Sequence, residues 1–354
     1  MIFDRFADIL AKTRAVAVLL LLVFAWPSSP AAAQDEPSVE ASAIDHVIIG
    51  VRDIDAASGA FAELLGTSFY SIVPVGMTPL GIADMRIDSS GFALAEIADD
   101  GGLLSRMIDS DGHAPIGLAF RVPNMDRAVT AMAAHNIPLL ARESGTTREV
   151  AIFDPRATYG VLVALVTYRA NYPVANSDIA GLWRQREGLE GPGAYDPPAS
   201  SIGAIEVDHV LIYVSDIDGA TSLFQRFLGS SFSGPHDRPN NHRLSVDGLG
   251  VEFISAAGAD ARINRLVRER RNGDLSGEGI DAVSVRVGDY RQAMNVLAAR
   301  GVEPFLTRNT PVRDVALVAS GGEVGIGFEI IEYDAIVHPI AALEMLHTLL
   351  EDNR

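Results

Sequence analysis

The sequence is 354 residues long, carries 46 acidic against 28 basic residues for a formal net charge of −18, and contains no cysteine. Disulfides, thiolate nucleophiles and Cys-bound zinc are therefore excluded, and so negative a chain repels phosphate backbones and anionic lipids, which argues against a nucleic-acid partner. Lys12 is the only lysine, so loss of the first residues would also remove Schiff-base chemistry and a phosphate-cradling P-loop lysine.

Residues 1–33 read as a secretory signal peptide. Arg5, Lys12 and Arg14 precede the apolar run Ala15 to Trp26, and Ala31-Ala32-Ala33 offers a small-residue cleavage site before Gln34. The run is about a dozen residues, short of the roughly 20 that a membrane span requires. The expectation is an exported protein, periplasmic or secreted, with no membrane attachment after cleavage; the alternative is an uncleaved N-terminal anchor. Residues 34–43 read as a solvated leader.

Ile44 to Val51 then alternates as a strand, Asp53 is placed to cap a helix, and Ala57, Ala60, Phe61, Leu64 and Leu65 recur at helical spacing before Gly66. Strands are expected over 68–73, 81–87 and 91–97, making a βαβββ module. A second module follows, with strand 115–122, helix 125–135 and strands 139–142, 150–154 and 161–168. Residues 169–204 are a linker rich in Pro and Gly, with Tyr172, Trp183 and Tyr195 as aromatic anchors.

Val207-Asp208-His209-Val210-Leu211-Ile212-Tyr213-Val214 restarts the pattern, with Asp216 as cap and Gly229 as helix end. Each of these positions lies 163 residues after its counterpart in the first stretch. Alternation puts His209, Leu211 and Tyr213 on one face and Val210, Ile212 and Val214 on the other. Strands near 244–246 and 251–255, a helix over 260–271, strand 282–287, helix 290–300 and strands 315–319 and 326–333 complete the copy. In its second half the offset is 165: Arg148-Glu149-Val150-Ala151 matches Arg313-Asp314-Val315-Ala316, and Gly160 matches Gly325. Two homologous domains are expected, 44–168 and 205–333, followed by a tail over 334–354 with a short amphipathic helix.

Paired βαβββ modules that open on Asp-His-Val and continue into an Asp-Ile-Asp-capped helix ending in Leu-Gly resemble the vicinal oxygen chelate superfamily, which includes glyoxalases, extradiol dioxygenases and antibiotic-binding resistance proteins. The resemblance covers 44–168 and 205–333 and implies an α+β fold of two tandem domains, each an open curled barrel. It also implies a divalent metal held from the first, fourth, fifth and eighth strands of a domain. In the second domain those positions fall on His209, Glu252, Ala282 (or its neighbour Asp281) and Glu329. In the first they fall on His46, Glu96, Gly117 and Ala164. The change from Ala164 to Glu329 implies that the metal site, with His209, Glu252 and Glu329 as ligands, belongs to the second domain.

One imidazole and two carboxylates suit Mn, Fe, Ni or Zn and leave positions for two adjacent substrate oxygens. Glu252 or Glu329 would then serve as catalytic base toward a proton beside a carbonyl. The resemblance thus implies a metal-dependent lyase, isomerase or dioxygenase with a small-molecule substrate. The alternative is a metal-free protein that binds or sequesters a small molecule, with the first domain, in a further reading, closing the second domain's cavity. The discriminating feature is the carboxylate pair, since binding alone does not require Glu252 and Glu329 to converge on His209.

Structural roles compete at each position. His209 and His46 also read as polar residues at a strand mouth, Glu96 as a salt-bridged residue, Arg243 as an ion-pair partner for Glu252, and Glu332 as a solvated side chain. His113 is a loop histidine or a replacement ligand. His236 and His242 lie off the family positions. Arg262, Arg265 and Arg268, with Arg270 and Arg271, form a charged helix surface or a guide for an anionic substrate. Oligomeric state is not legible.

Overall fold

A computed structural model describes residues 37–72, 78–98, 101–108, 112–145, 148–168, 198–238, 242–256, 277–310, 313–318 and 326–333. The signal peptide, most of the linker, the arginine-bearing helix and the tail helix read from the sequence lie outside the described residues.

The first copy contributes β1 (Ala43–Val51), α1 (Ile54–Leu65), β2 (Tyr70–Ile72), β3 (Ile82–Ile87), β4 (Phe92–Ile97), β5 (His113–Arg121), α2 (Met125–Ala134), β6 (Leu139–Ser144), β7 (Arg148–Phe153) and β8 (Leu162–Tyr168). The second contributes β9 (Ala204–Tyr213), α3 (Ile217–Leu228), β10 (Phe232–Arg238), β11 (His242–Asp247), β12 (Val251–Ala256), β13 (Gly279–Val287), α4 (Tyr290–Ala299), β14 (Leu306–Asn309), β15 (Arg313–Val318) and β16 (Gly327–Tyr333). Each copy forms its own curled eight-stranded sheet, in the orders β2-β3-β4-β1-β5-β8-β7-β6 and β10-β11-β12-β9-β13-β16-β15-β14. The two modules of a copy meet where its first and fifth strands pair antiparallel at the sheet centre. Modules are not exchanged between the sheets.

The caps form where the sequence places them. Asp53 and Asp216 accept hydrogen bonds from Ala56 N and Gly219 N, and Gly66 and Gly229 close their helices in the left-handed region at φ 80° and 75°. β10 and β14 are strands without a counterpart in the sequence reading. β10 carries Gly234-Pro235 and β14 has four exposed residues, so neither shows the alternation that marks a half-buried strand. The leader is not solvated throughout: Pro37, Glu40 and Ser42 are exposed, but Val39 is buried and its N–H donates to Phe227 O at 2.7 Å.

The helix-covered faces of both sheets share one hydrophobic core. Phe61 of α1, Phe92 of β4 and Phe328 of β16 meet there, with ring centroids 5.9 to 6.3 Å apart. The opposite, inner face of the first sheet carries a separate hydrophobic cluster that includes Ile48, Ala93, Ala119 and Ala164, with Leu104 and Ile108 packed against it, beside the buried His46 and Arg148. Phe328→Ala removes a buried ring at the junction of the copies, so it should cost about 3–5 kcal/mol. Because the core is continuous, urea unfolding of this variant should remain one transition by fluorescence and by circular dichroism. Two separated transitions would contradict a shared core.

Candidate functional site

On β9, Val210, Ile212 and Val214 turn to the shared core, which leaves His209 and Leu211 on the inner face of the second sheet. On β12, Phe253 joins the core and Glu252 faces inward; on β16, Phe328 and Ile330 join the core and Glu329 faces inward. Period-two alternation thus delivers three polar side chains to one surface. They meet: His209 Nε2 lies 3.0 Å from Glu329 Oε2 and 3.3 Å from Glu252 Oε2. The three residues are 2 %, 5 % and 7 % exposed, so these contacts form away from water.

A fourth member comes from the residue before the histidine. Neighbours on a regular strand point to opposite faces, yet Asp208 Oδ2 reaches His209 Nδ1 at 2.7 Å. The ladder explains it: Ser284 pairs with His209 and Val285 with Val207, so Asp208 is the extra residue of a β-bulge that re-aims its side chain. Tyr333 donates its hydroxyl to the same Asp208 oxygen at 2.8 Å. Gly250 stands against this bulge at φ +95°, where a Cβ would lie 2.8 Å from Asp208 O, so only glycine fits there.

His209 is held between carboxylates on both nitrogens. Burial alone would lower its pKa, but the Glu329 charge and the hydrogen bonds to Asp208 and Glu329 push it up to about 10. Burial works to raise Glu329, and the charge and hydrogen bond of His209, with the Arg313 charge, hold it below the ordinary carboxylate range. For Asp208 burial is likewise opposed, by His209, Tyr333 and Arg313, and its pKa is lowered. The Tyr333 hydroxyl is raised, first by burial and then by the Asp208 charge, which keeps it a donor. At neutral pH the centre is an imidazolium among carboxylates.

The first copy repeats the bulge and nothing beyond it. Asp45 is the extra residue between Ile44 and His46, it holds His46 Nδ1 at 2.9 Å, and Tyr168 donates to it at 2.8 Å. His46 Nε2, however, is buried without a partner. Phe92 pairs with Val47 as Val251 pairs with Val210, so the counterpart of Glu252 is Ala93 and not Glu96. Glu96 shares its face with Phe92 and Leu94 on the helix side and accepts from Ile54 N at 3.4 Å. The counterpart of Glu329 is Ala164, in register with Ala119 beside His46.

Several other sequence expectations are revised by the ladders. Ala282 pairs with Leu211 and Gly327, one step along the inner face from His209 and Glu329, and Asp281 is the extra residue of a second bulge. The fifth-strand residue in line with both His209 and Glu329 is Ser284. His113 opens β5 opposite Val51, at the far end of β1 from His46. Arg243 pairs with Asp218 at 3.0 Å and approaches Asp237, not Glu252. Glu332 is not merely solvated: it accepts from Tyr290 N at the start of α4, 2.7 Å away. His236 contacts Ser233 at 3.2 Å on β10, outside the centre. Asp208 and Tyr333 were missed, although Asp-His and the Tyr168/Tyr333 pair recur in both copies of the sequence.

No family model and no curated protein matches the chain. Among solved structures, a triple mutant of 4-hydroxymandelate synthase from Streptomyces coelicolor superposes with a TM-score of 0.57 at 13 % identity, covering 89 % of this chain and 99 % of that one. The Mn(II)-bound glyoxalase from Novosphingobium aromaticivorans superposes with a TM-score of 0.50 at 11 % identity, covering 83 % and 82 %. This is the vicinal oxygen chelate fold, in two tandem copies. Within it, among the described residues, the second copy gathers a histidine and two glutamates on the inner face of its sheet, where the first copy has His46 with Ala93 and Ala164 in place of the glutamates.

Among the described residues no group of three or more His, Cys, Asp or Glu side chains stands ready to hold a metal ion as the side chains lie. His209, Glu252 and Glu329 are closed on one another through protons. Their donor types nevertheless fit a divalent ion, since one imidazole nitrogen and two carboxylate oxygens already meet, at 3.0 and 3.3 Å from Nε2. An ion has only to displace the Nε2 proton, while Asp208 keeps the one on Nδ1.

The ionisation state has a measurable consequence. The folded His209 value of about 10 lies above its ordinary 6.5, so its stabilisation is complete below the ordinary value and is lost as pH rises through about 10. In metal-free protein, the stability deficit of His209→Gln relative to wild type should therefore be largest near pH 6 and shrink steadily toward pH 10, as read by urea titration. A deficit constant across that range would show that His209 is not an imidazolium in the folded state.

Proposed function

We propose that the second copy is a divalent-metal centre held by His209, Glu252 and Glu329, and that the protein is an exported metal-dependent enzyme, an isomerase or lyase that moves a proton on a small substrate carrying two adjacent oxygens. The observation that carries this reading is the convergence of both glutamates on His209 Nε2 in a desolvated sheet face. Bringing two carboxylates out of water beside each other costs several kcal/mol per ion unless a cation compensates. A protein that only sequesters an apolar ligand has no use for that cost, and the first copy shows the same face built without it. The oxygen-rich donor set favours Mn or Fe over softer ions, with Ni and Zn as further options, and the glyoxalase of the same fold is a Mn(II) protein. A basic, apolar and small-residue pattern over residues 1–33 supports export.

The roles follow from the geometry. The chemistry such an ion supplies is polarisation of the paired substrate oxygens and stabilisation of the charge that builds on them. His209 offers its Nε2 lone pair once the proton leaves, and the Asp208–Tyr333 pair fixes the ring and its tautomer from behind. Glu329 makes the shorter contact to His209 and stays in place. Glu252, whose Oε2 lies 3.3 Å from His209 Nε2, would take the substrate proton beside a carbonyl. With a single imidazole in the set, proton transfer suits the centre better than the two-histidine, one-carboxylate chemistry of the extradiol dioxygenases.

Elemental analysis of protein purified without chelator or polyhistidine tag, after incubation with Mn²⁺, Fe²⁺, Ni²⁺ or Zn²⁺, tests the proposal. One ion per chain is expected, lost in Glu329→Ala and retained in His46→Ala. Tyr333→Phe should keep the stoichiometry and weaken affinity about tenfold, the usual effect of removing an outer hydrogen bond. A wild-type protein that takes up none of these ions would overturn the metal centre and return the metal-free binding reading.

A further inference from the structure

The geometry points to Ser284 as a fourth polar group of this centre, one whose hydroxyl hydrogen-bonds an oxygen atom of the small ligand held there, water or substrate. The inference rests on the metal reading of His209, Glu252 and Glu329. Ser284 lies on β13 between the strands that carry His209 and Glu329 and pairs in register with both. Residues directly opposite one another share a face, so the three side chains stand in one row. Ser284 is fully buried, yet its Oγ has no hydrogen-bond partner. A buried hydroxyl left unpaired is unfavourable, and alanine would remove the penalty at little cost in packing.

The first copy made that exchange. Its residue in register with His46 and Ala164 is Ala119. The face that is Glu252, Ser284 and Glu329 in one copy is thus Ala93, Ala119 and Ala164 in the other, on the same strands. Ser284 varies with the two glutamates, whereas Asp208 and Tyr333 recur as Asp45 and Tyr168 in both copies. A serine kept only for packing has no reason to follow the glutamates. Its short side chain leaves the hydroxyl near the sheet, below the longer imidazole and carboxylates, and a neutral alcohol there is a good donor to a ligand oxygen. Ser284 is accordingly a positioning residue, orienting what the three longer side chains bind.

The test uses the purified protein with Co²⁺ as the probe, read by chelator competition and by the visible absorption of the bound ion. Ser284→Ala should bind Co²⁺ about tenfold more weakly with an altered spectrum, while its metal-free form melts about 2 °C or more above wild type because the orphan hydroxyl is gone. Ser284→Thr and Ser284→Val have the same shape and differ only in the hydroxyl, so Thr should retain affinity and spectrum and Val should lose both. If wild type binds Co²⁺ and Ser284→Ala or Ser284→Val matches it in affinity and spectrum, this inference fails and the metal reading stands. If Thr and Val lose affinity equally, packing alone is at work and the inference fails. If wild type binds no Co²⁺, both fall.

Discussion

The structure depends most on how the second sheet accommodates buried carboxylates. Glu252 and Glu329 point into a face that the first copy fills with alanine and aliphatic side chains. Withdrawn from water, carboxylates need a cation or hydrogen bonds to compensate them. In the metal-free protein the His209 imidazolium lies against both glutamates, with the Arg313 charge also acting on Glu329, and the Glu329 charge is a main reason its pKa stands so far above the ordinary value. The same electrostatic demand makes a divalent ion the natural replacement for the proton. Binding would exchange one positive charge for two while leaving the Asp208 contact intact.

Duplication lets the two copies serve as controls for each other. Both keep the bulged Asp-His pair and the tyrosine that bonds it, so this unit is part of how the strand centre is built. Only one keeps acidic groups beyond the imidazole. In the first copy Arg121 pairs with Asp45 at 2.8 Å; in the second its counterpart Arg286 pairs with Glu206. Asp208 is instead bonded by His209 and Tyr333, with the Arg313 charge acting on it from further off. The first copy packs on the second through the phenylalanine junction and through Val207 N, which donates to Ser90 O at 2.7 Å.

That partnership has consequences for rigidity. The helix-side faces of both sheets merge into one core, so the strands bearing His209, Glu252 and Glu329 are backed by side chains from both copies. A centre that must hold donors within a few tenths of an ångström benefits from such backing, because interiors packed at crystal-like density do not deform smoothly. Placing the site residues on sheet strands serves the same end.

Much of this was legible in the sequence. The tandem repeat, the βαβββ order and the helix caps follow from period-two alternation, cap chemistry and steady offsets, which are local properties of the chain, and resemblance to the vicinal oxygen chelate superfamily singled out His209, Glu252 and Glu329. Strands without alternation, such as β10 and β14, were not legible. What only the tertiary structure decided is registration between strands. The family resemblance put Glu96 in the place of Glu252, but the pairing of Phe92 with Val47 gives that place to Ala93. The one-residue bulge at Asp208 puts Asp and His on the same side, and the ladders of β13 bring Ser284 rather than Ala282 between His209 and Glu329. Alternation tells which face a residue takes. How far along that face it sits depends on hydrogen bonds to strands dozens of residues away, and no local pattern encodes them.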